Sequence, residues 1–369
     1  MKKPLELKPL FLERMKKIFS NEKDFQSYLK SIESEPPISI RCNTLKISPD
    51  DLKKRLENKS WKIKRPFKEY PEIIIVEGKF SNKNLIEENL VEKNSLDGNK
   101  YNSHDKVVSS IKNASSGWVG GNNNLISLEP GELGRSLEHL LGYYYVQEIA
   151  SMLPVLALNP QPGELVLDLC ASPGSKTTQI AARMENTGTI IANEVSLGRI
   201  KILASNTERC GAANVIIIKK EGTALCKRLK DAGFSFDKIL IDAPCSGEGT
   251  LRSTPRTALM WNINTVKQLS KIQKHLIEAA LEILKPNGEL VYSTCTHAPE
   301  ENEEVVDFVL KEFSDKVKIE KINLPVKCRN GLLGWVNEKY SREVTKSCRI
   351  YPQDSNTEGF FIAKFRRVR

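Results

Sequence analysis

From residue 164 onward the chain alternates short apolar runs with amphipathic stretches, and that alternation restricts its fold more than any other feature. ELVLDLC (164–170), TIIANE (189–194), VIIIK (215–219), KILIDA (238–243) and ELVYSTC (289–295) have strand length and strand composition. Between them TTQIAARM, GRIKILASNTERC and TVKQLSKIQKHLIEAALEIL carry helical spacing. Apolar strands alternating with helices predict βαβ units and an α/β fold with a doubly wound, mostly parallel, Rossmann-like sheet. Right-handed crossovers place the strand C-termini, and the loops after them, along one edge. GFFIAKF (359–365) predicts a last strand, antiparallel at the far side.

Upstream, EKDFQSYLKSI has the spacing of a helix, SIRCNTLK reads as a short strand and turn, and PEIIIVEG reads as a buried strand. Residues 81–128 are rich in Asn, Ser, Gly and Lys with little periodicity, and read as an insertion. LGYYYVQEIASMLPVLAL (141–158) reads as a helix leading into the main domain. The expected division is a smaller α+β region over 1–140, holding that insertion, and a main domain over 141–369. No stretch approaches the ~20 apolar residues of a membrane span, and the N-terminus lacks the apolar run of a signal peptide. A cytoplasmic protein with no membrane partner is expected.

Lys and Arg total 56 against 46 Asp and Glu, a net charge of +10. That excess suits a phosphate-rich partner, since each neutralised phosphate releases counterions. None of the eight cysteines form a C-x-x-C pair, and the four histidines are scattered, so no metal site is expected. In a reducing compartment most such cysteines serve as small buried apolar residues. Two of them do not fit that description.

The first strand of the main domain runs through Asp168 into Cys170, Ala171, Ser172, Pro173, Gly174, Ser175 and Lys176, a small-residue turn that brings backbone N–H groups close to a ligand. It is neither a G-x-G-x-x-G dinucleotide loop nor a Walker loop. Glu194 ends the second strand, where a carboxylate accepts hydrogen bonds from ribose hydroxyls, and Glu221 follows the third in the analogous place. The fourth strand delivers Asp242-Ala243-Pro244-Cys245-Ser246-Gly247 and the fifth Ser293-Thr294-Cys295-Thr296. Adjacent parallel strands of this kind place Cys245 and Cys295 over one cleft. Spacing alone does not choose between the two thiols.

At these residues the chain resembles the Nop/Sun family of RNA cytosine-5 methyltransferases. The likeness covers SIRCNTLKIS, LGYYYVQEIASMLP, LDLCASPGSKTTQIAARM, ANEVSLGRIKIL, DAPCSGEGTLR, VYSTCTHAPEENEEVV and YPQDSNTEGFF, and DAPCSG with a later STCT is its most specific part. PGSKTTQIAARM, ANE and CSGEG look most like the bacterial branch acting on small-subunit ribosomal RNA; related transfer-RNA enzymes share much of this. The resemblance implies a class I methyltransferase fold with S-adenosylmethionine held by Cys170 to Lys176, Glu194, Arg199, Glu221 and Asp242. It implies that Cys295 is the nucleophile and that Cys245 assists product release; Asp242, placed to hold the N4 amino edge of the base, and Lys176, placed beside the cleft to orient the base or Asp242, complete the expected catalytic set. A thiolate adding to carbon 6 of cytosine makes carbon 5 reactive enough to take a sulfonium methyl.

Arg41, Asn43 and Thr44, which match the family's N-terminal R-x-N segment, and Arg252, beside the active-site loop, are the expected RNA contacts, and Trp261 is a candidate for base stacking. Ser172 stands where Ala is usual, and Glu194 and Glu221 where many relatives have Asp. The insertion has no counterpart, and the chain ends soon after GFFIAKF, so the C-terminal PUA-like RNA-binding domain of several relatives is not expected. A monomer acting on ribosomal or transfer RNA is expected. The competing expectations are a noncatalytic RNA-binding assembly factor of the same fold and an amino-directed methyltransferase, which needs no nucleophilic thiol.

Overall fold

The apolar runs become strands because each is flanked by turn residues and rich in Val, Ile and Leu, which pack on a pleated surface covered on both sides. The computed structural model describes residues 6–19, 21–80 and 125–368. Among these, β1 (Ser39–Cys42), β2 (Trp61–Lys64), β3 (Ile73–Phe80), β4 (Leu125–Ile126) and β5 (Tyr144–Val146) form an antiparallel sheet in the order β2-β3-β1-β5, with β4 on β3. Its core is Ile40, Leu52, Leu56, Trp61, Ile74, Val76 and Tyr144.

The larger sheet contains β6 (Leu165–Asp168), β7 (Thr189–Asn193), β8 (Val215–Ile218), β9 (Phe236–Asp242) and β10 (Leu284–Thr294), parallel to one another in the order β10-β9-β6-β7-β8. The order reverses at β6, the kind of switch point where such sheets bind ligands. Beyond them β11 (Val317–Glu320), β12 (Arg329–Asn330), the hairpin β13 (Gly334–Trp335) and β14 (Glu338–Lys339), β15 (Cys348–Ile350) and β16 (Phe360–Arg367) follow. β16 lies antiparallel on β10 and carries β15 and β11; β12 pairs with β15. The antiparallel last strand expected from GFFIAKF is therefore present.

Each face of this sheet has its own apolar layer. On one, the helix Ile149–Leu158 is buried at every position except Ser151 and packs with the helix Ser175–Arg183 against Val166, Ile190, Leu240 and Val291. On the other, Ile263–Leu281 and Glu303–Glu312 cover Leu167, Ile239, Ile241 and Tyr292. Phe11, Met15, Phe25 and Tyr28 of the first two helices, Pro9–Ile18 and Glu22–Ile32, join that second layer. Arg14 fixes them through a two-pronged bond to Glu300.

Packing thus departs from the division expected at residue 140. The N-terminal helices belong to the main core, whereas Tyr144–Val146, expected to be helical, is β5 and pairs with β1. Three consecutive tyrosines favour an extended conformation, and the helix begins only at Ile149, where the Glu148 side chain accepts from Ser151 N. The insertion expected at 81–128 lies outside the described residues up to 124. Its last part contains β4, which is sheet rather than loop. One cysteine expectation is also corrected: Cys328 and Cys348 are joined as a disulfide, because β12 and β15 bring their Cα atoms to 5.2 Å.

Candidate active site

Register decides where the two remaining cysteines of interest meet. Asp242 at the end of β9 pairs with Ser293 of β10, so Ala243-Pro244-Cys245 and Thr294-Cys295 leave the sheet side by side. The two Sγ atoms end 3.2 Å apart. Their roles differ in place. Cys295 lines a cavity of about 300 Å³ at the C-terminal edge of the sheet, together with Asp242, Lys176 and the loop after β6. Cys245 is not among the residues that line it. The bond to Cys295, followed by burial, pushes the Cys245 thiol well above its ordinary value, so it stays protonated.

Asp242 is held from two directions. Lys176 Nζ donates to its Oδ2 at 2.7 Å and Ser293 Oγ to its Oδ1 at 2.7 Å. Lys176, only 6% exposed, donates also to Ser151 Oγ at 2.9 Å, so its ammonium is fixed rather than free to swing. A buried cation so held pays for its desolvation only through such partners.

The loops around the cysteines are clamped. Glu301 is buried and accepts from Ser246 N at 3.1 Å and from Gln273 Nε2 at 2.8 Å, while Gln273 Nε2 also reaches Pro244 O at 2.8 Å. Burial raises Glu301 to about 7 against those bonds. Gly249 donates to Cys295 O at 2.9 Å and accepts from Gly359 N at 2.9 Å. A Cβ at Gly249 would lie 2.2 Å from Gly359 O, which explains the second glycine of CSGEG and the glycine of EGFF: three backbones meet there.

On the other side of the cavity Gly174 turns the chain at φ +100 before the helix Ser175–Arg183. Pro173 O accepts from Asn206 Nδ2 at 2.9 Å, and Ser172 Oγ donates to Arg199 O at 3.1 Å, which binds this loop to the helix Leu197–Cys210. Asp168 beneath it is fully buried; Thr177 Oγ1 donates to its Oδ2 at 2.7 Å, but Oδ1 has no partner among the described residues. Burial raises this carboxyl to about 7 despite the Thr177 bond. A cavity ringed by close backbone turns, with one carboxylate oxygen of Asp168 left unpaired, fits a cofactor that brings a cationic amino-acid end.

The other expected cofactor contacts are placed differently. Glu194 is buried at the end of β7, accepts from Ser196 N at 2.8 Å and pairs with Arg199 at 3.2 Å. Glu221 caps the helix Gly222–Asp231 by accepting from Thr223 N and Ala224 N, and it lines a second cavity with His275 and Glu278. The structure therefore does not bring Glu221 to the cavity that holds Cys295.

The residues expected to touch RNA divide as well. Arg41, 2% exposed, donates to Gln147 Oε1, Ser175 O and Thr178 Oγ1, locking the small sheet to the helix behind the cofactor loop. Asn43 is spent on Gly142 O and Cys210 O. Arg252 donates to Ser34 O, Glu35 O, Asn356 Oδ1 and Thr357 O. Here the correction is physical: these groups are buried and bonded to their own chain, and Thr44 alone of the four is exposed. Trp261 is likewise internal, edge-on to Phe11 and donating to Glu248.

Sequence reasoning did not single out Asp168 as a binding group, nor Ser151, Ser293, Glu148, Glu358 and Phe360 as parts of the site, yet all but Ser293 line the same cavity. An acid ending an apolar strand was a usable signal for Asp168. The others come from β16, β10 and the helix Ile149–Leu158, which only the tertiary fold brings together.

Known proteins resemble the chain over most of its length. Over 360 residues the chain is 33% identical to ribosomal RNA small subunit methyltransferase F of Vibrio parahaemolyticus, covering 97% of this chain and 62% of that protein. It is 45% identical over 252 residues to the tRNA (cytosine(49)-C(5))-methyltransferase of Pyrococcus abyssi, covering 68% of this chain and 79% of the relative. A methyltransferase homolog crystal structure from Pyrococcus horikoshii superposes with a TM-score of 0.73 at 30% identity, covering 98% and 96% of the two chains. NSun6 from the same organism, solved with SFG, superposes at 0.71 with 25% identity, covering 100% and 98%. The chain spans only 62% and 48% of two of its relatives of the small-subunit type. Residues 155–366 match the family model described as 16S rRNA methyltransferase RsmB/F, and the chain belongs to that family.

Proposed function

We propose that this chain methylates carbon 5 of a cytosine in structured RNA, with Cys295 as the nucleophile. The observation that carries the reading is the thiol of Cys295 on the cavity wall beside Asp242 and Lys176, with a protonated thiol 3.2 Å behind it. Small-subunit ribosomal RNA is the proposed substrate, supported by the relative that matches 97% of the chain. Transfer RNA is the second reading, supported by the higher identity of the Pyrococcus abyssi relative.

The turn after β6 and Asp168 would hold S-adenosylmethionine, which would supply an electrophilic sulfonium methyl. Cys295 Sγ adds to carbon 6 of the base, and the ring electrons released toward carbon 5 make that atom the attacking partner for the methyl. Asp242, set by Lys176 and Ser293, holds the amino edge of the ring and favours the addition electrostatically. The transfer breaks the sulfonium–methyl bond and leaves the demethylated thioether as one product; carbon 5 then gives its proton to water, the bond to Cys295 Sγ breaks with its electrons returning to sulfur, and the ring is restored. Cys245, protonated and in contact with that sulfur, is placed to return a proton to it as product leaves.

Incubation with unmodified small-subunit ribosomal RNA and transfer RNA plus labelled S-adenosylmethionine should yield 5-methylcytosine, located by bisulfite sequencing. Cys295→Ala should lose turnover completely with its thermal midpoint unchanged. Full turnover by that variant would remove the nucleophile proposed here.

A further inference from the structure

The reaction just described leaves one acidic pair on the cavity wall unused. Glu148 Oε2 accepts from Ser151 N at 3.2 Å, and its Oε1 accepts from the backbone N–H of Glu358 at 3.0 Å. Glu358 Oε1 in turn accepts from Ser253 N at 2.8 Å, in the loop that follows Cys245. The Ser253 side chain and the Arg252 backbone N–H also act on this carboxyl, yet no donor stands at hydrogen-bond geometry to its second oxygen, Oε2, among the described residues, and the residue is only 4% exposed. Both carboxyls line the cavity with Cys295, Asp242 and Phe360. Burial raises both, and the Glu358 charge adds to the rise of Glu148, which reaches about 7.

An unpaired buried acceptor is costly, and such an atom in a binding cavity marks where a ligand brings the missing donor. Position says which ligand. Glu358 precedes β16, which flanks β10 on the side away from β9, β6 and β7. The turn after β6 and Asp168 lie across β9 on the other side. The missing donor therefore belongs to the target base rather than to the methyl donor. Among pyrimidines, cytosine presents an amino group at position 4 where uracil presents a carbonyl.

We propose that Glu358 Oε2 accepts a hydrogen bond from the exocyclic amino group of the target cytosine and so makes Glu358 the residue that excludes uracil. The inference rests on the cytosine-5 reading above. Asp242, set by Lys176 and Ser293, takes one hydrogen of that amino group, and Glu358 Oε2 takes the other. A uracil in the same pose would set its O4 lone pairs against Glu358 with Glu148 behind it, so exclusion comes from repulsion as well as from a lost bond.

Glu358→Gln tests this, because glutamine still offers an oxygen to Ser253 N but turns an amide N–H toward the base. Wild type and variant would be assayed as full chains with S-adenosylmethionine and two transcripts, one with cytidine and one with uridine at the mapped position. Wild type should methylate the cytidine transcript strongly over the uridine one. In the variant kcat/KM for cytidine should fall on the order of 10- to 100-fold, while the uridine transcript gains 5-methyluridine, so the preference collapses. Glu358→Asp, a milder change that retracts the carboxylate by one methylene, should lower the preference in the same direction by several-fold. A uniform loss with the cytidine-to-uridine ratio unchanged, in whichever variant folds, overturns the proposal and leaves Glu358 a loop anchor. If wild type forms no 5-methylcytosine on either RNA class, the failure belongs instead to the function proposed above.

Discussion

The two halves of the cleft rim are built on opposite principles. After β6 and β7 the chain uses backbone turns and a half-solvated ion pair: Gly174 lets the loop approach, and Arg199, with its side chain 54% exposed, pairs with Glu194. After β9 and β10 it uses buried charge. Arg349 and Glu303 form an ion pair with side chains 2% and 0% exposed, and Arg349 also donates to His297 O and Tyr351 Oη, fixing the segment just beyond Cys295. Glu301 grips the loop of Cys245 from inside. Backbone amides serve where the ligand arrives with its own charges. A sulfur atom proposed to meet a ring at bonding distance, with a second thiol held against it, needs supports that do not yield, and buried networks supply that rigidity at a desolvation cost.

If that contrast is right, the largest stability loss comes from the β10 side. Glu303→Ala strands the Arg349 guanidinium in the core, where removing one member of a buried pair costs about 3–5 kcal/mol. Denaturant unfolding should show a loss of that size, and one below about 1 kcal/mol would mean that solvent reaches the pair and the two halves do not differ.

Glu301 gives the next effect, and its sign follows from its raised value. The unfolded carboxyl loses its proton near 4.5, whereas the folded one keeps it up to about 7. Between those values the unfolded chain binds fewer protons, so stability falls as pH rises through the window and levels off above it. Glu301→Gln cannot titrate. Asp168 and Glu148, also raised to about 7, remain in both proteins. The difference in unfolding free energy between variant and wild type should therefore shift in favour of the variant by about 1–3 kcal/mol from pH 4.5 to pH 8. A pH-independent difference would show that the Glu301 carboxyl is not buried as described.

What the sequence made legible follows the same divide. Parallel strands, their order of use and the two thiols were readable because each lies in a contiguous run: an apolar strand, a turn, a helix. The register pairing Asp242 with Ser293 turned that reading into a 3.2 Å contact. Arg41, Asn43 and Arg252 were misread as surface groups because a charged residue in a short motif looks the same whether it faces a phosphate or a carbonyl of its own chain. Only tertiary packing tells them apart: Arg252 reaches residues 34, 35, 356 and 357, and Arg41 reaches 147, 175 and 178. Glu148 and Glu358 stayed invisible for a related reason, being 210 positions apart in the chain and adjacent through one backbone N–H. The pairing of β5 with β1 across residue 140 was not legible either, because its hydrogen bonds join segments about a hundred residues apart before the chain turns into the larger sheet.

The smallest effect is expected on the other half of the rim and is the sharpest control. Arg199→Ala removes the pair with Glu194 and the bond from Arg199 Nη2 to Ser172 O, at 3.2 and 2.8 Å. Glu194 keeps the Ser196 amide as a donor, and water can reach the space vacated by a side chain that was already half in solvent. Solvent screening reduces such a pair to about 0.5–1 kcal/mol, and added salt should shrink the loss further, whereas the loss from Glu303→Ala should barely respond to salt. Unfolding both variants at low and high ionic strength compares the two braces directly. Equal salt dependence would break the distinction between a rim that tolerates water and one that excludes it.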